Sequence, residues 1–388
     1  MTVEPTARKA EPATTHDSGV IRGFLCCPMN WLLIFIPFAV IADHVQGTPA
    51  ALRFASAAFA IVPLAKVMID ATEQIAHRTG ATIGALLNAT FGNAPELIIS
   101  LIALQAGLID MVKASIMGVI LGNLLFVLGL SFLIGGLAYH EQKFNRRGAR
   151  MQRSVLMIAA ISITVPSMFD NFISPETVQH ELELNASVAV VLLLTYGLSL
   201  IFMLKTHPDY FVPKAKDELS VETESWPAGM AIAALALASV LLASMSEILV
   251  GAVEETAKTV GVSQTFIGVI ILALIGGAPE SVAAVTMARK NKLDLSMGIA
   301  VGSSIQIALF VAPVLMLSSY YLTPKPFDLV VGNAAIMIVL LPVLIFSMIV
   351  TDGKSNWFKG VQLLSVYVLI ALFCFFLPDS PTMTLINP

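Results

Sequence analysis

The chain carries about eleven apolar segments, each close to the length that one helix needs to cross a bilayer. A hydrocarbon core about 30 Å thick requires about 20 apolar residues per helix. Backbone in contact with lipid must also satisfy its own hydrogen bonds, which favours helices. We therefore predict an all-α polytopic membrane protein with about eleven transmembrane helices, at residues 29–47, 50–69, 81–105, 114–138, 154–172, 184–204, 226–250, 264–288, 296–319, 328–350 and 358–377.

Composition excludes several other classes of protein. Hydrophobic residues make up 57% of the chain and charged residues 12%, whereas soluble domains contain about 25% charged residues. No basic patch with interleaved aromatic residues is present, so we expect no nucleic-acid partner. The three cysteines are not spaced as a disulfide framework or a metal cluster. Because the sequence has neither a zinc-protease motif nor a phosphate-binding glycine loop, we expect a protein that is not an enzyme and needs no cofactor.

The distribution of lysine and arginine predicts the orientation of the chain. With a cytoplasmic N-terminus, 17 of the 22 Lys and Arg residues lie on the cytoplasmic side and 4 on the other side, with Lys66 inside the second segment. This bias satisfies the positive-inside rule. We expect a cytoplasmic N-terminal tail at 1–28, a leading transmembrane helix at 29–47, an acidic cytoplasmic linker at 205–225 and a C-terminal tail at 379–388.

The two regions that flank the linker, 50–204 and 226–378, share one motif. Gly-x-Ala-Pro-Glu occurs at 92–96 and again at 276–280, and in both copies a further glycine precedes the glutamate by 12 residues. In the predicted orientation the first copy enters the membrane from the cytoplasm and the second from the opposite side, so the two transmembrane repeats are inverted. Inverted repeats whose helices are interrupted by Gly and Pro are typical of secondary transporters.

Each motif combines a helix interruption with a carboxylate. Pro95 and Pro279 lack a backbone N–H, which leaves the carbonyls of Phe91 and Ile275 without a helical partner. The glycines allow a crossing backbone to approach closely. Carbonyl and carboxylate oxygens are the ligands of Ca²⁺, which takes about 6–8 of them. The predicted cation ligands are Glu96, Glu280, Phe91, Gly92, Asn93, Ile275 and Gly276.

Glu96 and Glu280 are the ionisable residues of long apolar stretches. A bare carboxylate inside a bilayer is costly, so each must be neutralised by a proton or a cation. One divalent cation or two protons would balance the pair, and this mutual exclusion is itself an exchange mechanism. The alternative is a role in helix packing, which Asn or Ser would fill at lower cost.

Other polar residues surround the motifs in sequence. Asn88, Gly92, Glu96 and Ser100 are spaced four residues apart, which predicts one shared helix face. Two acids near segment ends, Glu73 and Glu247, are candidates to conduct protons or cations, although Glu247 could instead pair with Lys66. The residues that either complete the oxygen shell or hydrogen-bond between helices are Asn88, Asn123, Ser303, Ser304 and Gln306.

These residues resemble the alpha repeats of the calcium/cation antiporter superfamily, and the most similar branch is that of the cation/proton exchangers, the Ca²⁺/H⁺ antiporters. Residues 92–96 match a motif close to Gly-Asn-Ala-x-Glu, and residues 302–309 look like the second repeat of this branch. The resemblance implies one leading helix followed by two inverted five-helix repeats. It also implies that Glu96 and Glu280 bind the transported cation and exchange it for protons.

The second motif departs from the pattern of this branch, which often reads Gly-Asn-Ala-Ala-Glu-His. Here the positions of Asn, the second Ala and His hold Gly277, Pro279 and Ser281. The chain thus lacks one side-chain oxygen and one titratable group in the second copy. We expect a lopsided site in which the half around Glu96 supplies more of the oxygen ligands.

The expected function is a secondary antiporter that exchanges cytosolic Ca²⁺, or another divalent cation such as Mn²⁺, for protons by alternating access at a midplane two-glutamate site. Its partners would be Ca²⁺, H⁺ and membrane lipid, with the oligomeric state left open. We expect a cell (plasma) membrane, with a vacuolar membrane as the alternative. A sodium-coupled exchanger is a rival, although the acidic residue expected after its second motif is absent from 296–319. A cation channel and a non-transporting scaffold or sensor are further alternatives.

Overall fold

The computed structural model describes residues 27–79, 81–169, 178–207, 226–324 and 326–376. Almost all of the predicted N-terminal tail, residues 208–225 of the predicted linker and the predicted C-terminal tail lie outside the described residues. In order along the chain, the helices are α1 (Pro28–His44), α2 (Ala50–Thr79), α3 (Ala81–Phe91), α4 (Ala94–Gln105), α5 (Ile109–Ala138), α6 (Arg146–Phe169), α7 (Val178–Ile201), α8 (Ala228–Val260), α9 (Gln264–Gly276), α10 (Ala278–Arg289), α11 (Leu293–Leu322), α12 (Asn333–Ile349) and α13 (Trp357–Phe376).

The helices are those of a multi-pass membrane protein. Among the described residues, six stretches are long and apolar enough to cross a membrane: α2, α5, the end of α7 with the turn after it, α8, α11 and α13. The pair α9–α10 passes the same test as one span bent by 61°. Shorter apolar helices are α1, α4 and α12.

Several helices extend further than the apolar segments predicted. The segment predicted at 50–69 continues as helix to Thr79, and the one predicted at 226–250 continues to Val260. These extensions are rich in Glu, Lys, Gln and Ala, which end a hydropathy peak but are good helix formers. The predicted linker also begins later than residue 205, because α7 continues into a π-helical turn at Phe202–Thr206.

Three more π-helical turns interrupt the central helices. They occupy Gly122–Val127 in α5, Ile267–Leu272 in α9 and Ile307–Val311 in α11. Nothing in the apolar pattern predicted them. π turns are frequent at functional sites, because the extra residue redirects neighbouring side chains. Two of them adjoin the predicted site residues Asn123 and Gln306.

Helices α5 and α11 form the centre of the bundle. Their most apolar stretches are 83% and 67% buried, against 17% for α7 and 22% for α13, so the latter present most of their surface to the surroundings. Close packing at the centre depends on glycine. A Cβ atom at Gly118 would overlap the backbone of Val269, and one at Gly268 would lie 2.7 Å from the Ala114 Cβ. These glycines therefore let α5 and α9 cross in direct contact, as small residues do between membrane helices.

The two ends of the bundle are tied differently. After the C-terminal end of α5, strand β1 (Gln142–Lys143) pairs antiparallel with β2 (Lys354–Ser355). The Gln142 side-chain amide donates to the Ala288 carbonyl over 2.8 Å. Near the opposite end of α5, Lys113 Nζ forms an ion pair with Asp328 Oδ1 at 2.5 Å. We call these the β-ladder end and the Lys113 end.

The glycine crossing generates a stability prediction. Gly118→Ala should lower the free energy of unfolding by about 1–3 kcal/mol, because the added methyl group forces the α5 and α9 backbones apart. Gly251→Ala in α8 is the matched control, since a Cβ there meets nothing within 4 Å. Thermal unfolding of the detergent-purified protein would measure both variants. Equal melting temperatures would contradict a tight crossing at Gly118.

Candidate cation site

Two helix breaks form the centre of the site. Helix α3 ends at Phe91 and α4 begins at Ala94, while α9 ends at Gly276 and α10 begins at Ala278. Pro95 and Pro279 occupy the first turn of the second helix of each pair, where a missing N–H has no consequence. Each proline thus separates the two helices of its pair.

The first break corrects one prediction. Asn88, Gly92, Glu96 and Ser100 do not share a helix face, because the chain leaves the helix at Gly92 and Asn93. Asn88 lies on α3, whereas Glu96 and Ser100 lie on α4. The four-residue spacing assumed a continuous helix, which the Gly-Asn-Ala-Pro sequence prevents.

Both glutamates occupy the first turn of their helices, Glu96 in α4 and Glu280 in α10. The positive end of a helix dipole stabilises a carboxylate at that position. The C-terminal ends of α3 and α9 lie next to the same breaks, and their negative dipole ends favour a cation. Each break therefore offers a carboxylate and carbonyl oxygens beside one another.

The two breaks meet through Glu96. A Cβ atom at Gly276 would lie 3.3 Å from both the Cγ and the Oε1 of Glu96, so the carboxylate lies directly against the backbone of the second break. Glu96 is only 7% exposed, and Glu280 is half-buried. In the described part of the chain, Oε2 of each glutamate is buried without a hydrogen-bond partner. Buried polar atoms without partners are rare, and here a cation or a proton would satisfy them.

Asn93 ties the first break to α11. The side chain is 1% exposed and does not cap α4, although it occupies the N-cap position. Its Oδ1 accepts a hydrogen bond from the Ser303 hydroxyl over 3.0 Å, and its amide donates to Gln306 Oε1. These contacts form one polar cluster between the first break and α11.

An amide from another helix lies beside the second break. Gly277 stands where the first motif has Asn93, and Asn123 Oδ1 of α5 lies 4.0 Å from the position of a Gly277 Cβ. Within the described residues, the buried Nδ2 of Asn123 has no hydrogen-bond partner. Side-chain amides thus lie near both breaks, which reduces the lopsidedness expected from the sequence.

Other predicted residues lie away from the carboxylates or are bonded elsewhere. The Ser304 hydroxyl donates to the Ala300 carbonyl of its own helix over 3.0 Å. The Phe91 side chain is 38% exposed, so the carbonyl and not the side chain remains its candidate ligand. Glu247 is exposed on α8 and does not line the cavity described below. Pairing of Glu247 with Lys66 is wrong, because Lys66 bonds Asp70 one turn away on α2.

A cavity of about 720 Å³ runs from Glu280 to the β-ladder end. Glu280, Gly92, Ser303 and Gln306 line it near the breaks, and Asn88 and Glu73 also contribute. The sequence did not indicate the roles of Lys66, Asp70, Asn145, Gln152 and Asp294, which line it too. The spacing of Lys66, Asp70 and Glu73 along one helix face was the available signal, since charged residues in an apolar helix must face a polar space.

The chemistry of the cluster suits a cation bound partly by neutral oxygens. Among the described residues, no group of three or more His, Cys, Asp or Glu side chains could hold a metal ion. Two carboxylates would have to be supplemented by the amide, hydroxyl and carbonyl oxygens at the breaks. Such a mixed oxygen set is typical of hard divalent cations.

A multi-pass helical bundle with paired helix breaks, buried carboxylates and a polar cavity defines a membrane transporter. The chain belongs to the sodium/calcium exchanger protein family, whose model matches residues 49–205 and 230–376. The resemblance to the Ca²⁺/H⁺ antiporter branch is confirmed by the relatives. The Ca(2+)/H(+) antiporter of Aphanothece halophytica is 42% identical over 372 residues, which cover 90% of this chain and 96% of that protein.

Further similarities agree with this assignment. The Ca(2+)/H(+) antiporter ChaA of Bacillus subtilis is 41% identical, over 88% of this chain and 97% of that protein. The structure of native YfkE superposes with a TM-score of 0.77 at 38% identity, covering 90% of this chain and 100% of that one. The H+/Ca2+ exchanger CAX shares the fold, with a TM-score of 0.70 at 16% identity over 93% of this chain and 89% of that one. These relatives are transporters, in agreement with the prediction that the protein is not an enzyme.

Adjacent serines test the geometry of the cluster. Ser303→Ala should weaken Ca²⁺ binding by about three- to tenfold, since one net hydrogen bond contributes about 0.5–1.5 kcal/mol. Ser304→Ala should leave binding unchanged, because that hydroxyl bonds its own helix. Equilibrium binding of ⁴⁵Ca²⁺ to the purified protein measures both. An equal loss in the two variants would show that the Asn93–Ser303 contact has no part in binding.

Proposed function

We propose that this protein is a secondary antiporter that exchanges Ca²⁺ for protons at a midplane site formed by Glu96 and Glu280. The observation that carries the proposal is the contact between two helix breaks, each with a glutamate that has one buried carboxylate oxygen without a hydrogen-bond partner among the described residues. Relatives about as long as this chain, and named for Ca²⁺/H⁺ antiport, support the choice of ions.

The charge of the pair explains obligatory exchange. Two ionised carboxylates inside a bilayer carry two negative charges, and each uncompensated buried charge is disfavoured by several kcal/mol. One Ca²⁺ neutralises both, and so do two protons, but the site cannot comfortably hold both at once. Reorientation of the empty, doubly charged site would then be slow, so each crossing carries Ca²⁺ in one direction or protons in the other.

The ligands of Ca²⁺ follow from the geometry of the breaks. We assign the carboxylates of Glu96 and Glu280, the carbonyls at Phe91, Gly92, Ile275 and Gly276, and the side chain of Asn93 to the ion. Ser303 and Gln306 position Asn93, and Asn123 serves the second break. Asn88 and Glu73 lie along the route from the cavity mouth. Ser304 and Glu247 have no role at the ion in this arrangement.

The proposal includes a layout of eleven transmembrane spans. The leading helix, predicted at 29–47 and observed as α1, precedes the two inverted repeats of five spans, 50–204 and 226–378, in which α3–α4 and α9–α10 each count as one broken span. Two observations support this layout. Both repeats contain a break at the same motif, and α5 and α11 each carry a π turn at a matching position. The tails 1–28 and 379–388 and the linker 205–225 complete the chain.

The same layout supports alternating access. The Lys and Arg bias places the β-ladder end in the cytoplasm, together with the N-terminus, and the cavity opens there. At the opposite end, the glycine crossing of α5 with α9 closes the route to the carboxylates. This arrangement is that of an inward-open state, from which Ca²⁺ would be loaded out of the cytosol. A cell membrane is the favoured location, with a vacuolar membrane as the alternative.

Transport by everted membrane vesicles tests the assignment. Glu96→Gln and Glu280→Gln should each reduce ⁴⁵Ca²⁺ uptake driven by an imposed proton gradient to background, because the neutral amide removes a charge that binding requires. Glu141→Gln, which alters an exposed carboxylate paired with Lys354, is the control and should retain uptake. Normal uptake by both amide variants would refute the two-glutamate site.

The ion gradients in the same assay separate the rival functions. Proton coupling predicts uptake with an imposed proton gradient and none with a sodium gradient alone. Uptake driven by sodium would instead show a sodium-coupled exchanger. Flux that persists without either gradient would show a channel. Addition of Mn²⁺ as a competitor measures how far the site discriminates among divalent cations.

A further inference from the structure

The cavity is lined by a lysine of the membrane-spanning helix α2. Lys66 lies near the middle of α2, about 24 Å from the Ala50 end and about 20 Å from the Thr79 end at 1.5 Å per residue. It lines the same cavity as Glu280. Its ammonium group forms an ion pair with Asp70, and the two side chains are 27% and 35% exposed. The pair therefore faces the aqueous cavity and not lipid.

The charges around it are acidic. Of the described residues that line the cavity, Asp70, Glu73, Glu280 and Asp294 are acids and Lys66 is the single base. An acidic vestibule attracts cations and raises their local concentration. A positive side chain has the opposite effect, so its presence on the route of a cation needs an explanation.

Structural support does not explain the lysine. The ion pair joins positions i and i+4 of α2, and the described structure gives the ammonium no bond to another helix. Such pairs stabilise a helix by only about 0.2–0.5 kcal/mol. A charged residue in a membrane-spanning helix is costly and indicates function by default.

We propose that Lys66 is a tethered cation that sets the Ca²⁺ affinity of the cytoplasmic cavity. This inference rests on the proposed function. The ammonium neutralises Asp70, so a hydrated divalent cation is not retained there and passes on to Glu280 and Glu96. Without the lysine, Asp70 and Glu73, which lie one turn apart on α2, become a second binding position for divalent cations. Lys66 is thus a specificity-determining residue and not a ligand of the transported ion.

The size of the effect follows from Coulomb's law. One unit charge about 10 Å from a divalent ion in water changes the occupancy of that ion about fourfold. Lys66→Gln should therefore lower the KM for Ca²⁺ about three- to tenfold. Asp70→Asn should raise it by a similar factor, because the ammonium is then unpaired. The double variant, with neither charge, should return close to the wild-type KM.

The experiment is proton-driven ⁴⁵Ca²⁺ uptake by everted vesicles over a range of Ca²⁺ concentrations. Lys66→Arg keeps the charge and should keep the wild-type KM. Lys354→Gln removes a lysine paired with Glu141 outside the cavity, and should also keep it. The changes in KM should shrink as ionic strength rises, since salt screens charges in aqueous cavities. If Lys66→Gln does not reach the membrane, Asp70→Asn and the double variant still test the order of KM values.

Two failures are distinguishable. Wild-type uptake that is proton-driven and lost in Glu280→Gln establishes the proposed function on its own. With that function intact, either of two results overturns the role of Lys66. One is an unchanged KM in Lys66→Gln. The other is a double variant whose KM is no nearer to the wild-type value than that of Asp70→Asn. A merely structural lysine would lower the amount of folded protein and the maximal rate while leaving KM unchanged.

Discussion

Two carboxylates within a bundle of apolar helices impose the constraint on which the rest of this structure depends. Neither Glu96 nor Glu280 can remain ionised there without a partner. The fold answers by placing each in the first turn of a helix, next to the C-terminal end of another helix. Such a junction requires a break, at which each copy has a proline in the first turn of the second helix, and glycine lets one junction approach the other. The contact between Glu96 and Gly276 is where these requirements meet.

The surrounding bundle is built to hold that contact while leaving one route to it open. Helices α5 and α11 are buried at the centre and supply Asn123, Ser303 and Gln306 to the breaks. On one side, α5 and α9 cross so closely that a methyl group would not fit at Gly118. On the other side, a cavity whose charged lining residues are four acids and one lysine reaches Glu280.

Predictions from the sequence succeeded where a residue type has the same structural effect at any position in a membrane helix. Apolar length predicted the helices, and prolines beside glutamates predicted broken helices with buried carboxylates. They failed where a conclusion needed the path of the chain. The spacing of Asn88 and Glu96 predicts a shared face only if one helix continues across Gly92, which it does not. The suggested ion pair between Lys66 and Glu247 is wrong, because Lys66 pairs with Asp70 one turn away on the same helix. Amide and hydroxyl residues were the hardest to assign, since Ser303 and Ser304 differ only in the direction each hydroxyl points.

The sequence by itself determined that the chain is a membrane protein of the exchanger family, and it predicted Glu96 and Glu280 as the cation ligands. Hydropathy, proline and charge act locally, so they can be read from neighbouring residues. Only the tertiary structure decided which backbone Glu96 touches, that Asn123 approaches the break lacking an asparagine, and that Lys66 faces the cavity. The first two facts depend on contacts between residues more than a hundred positions apart. The third depends on which side of α2 is not covered by another helix. Neither can be deduced from neighbouring residues in the sequence.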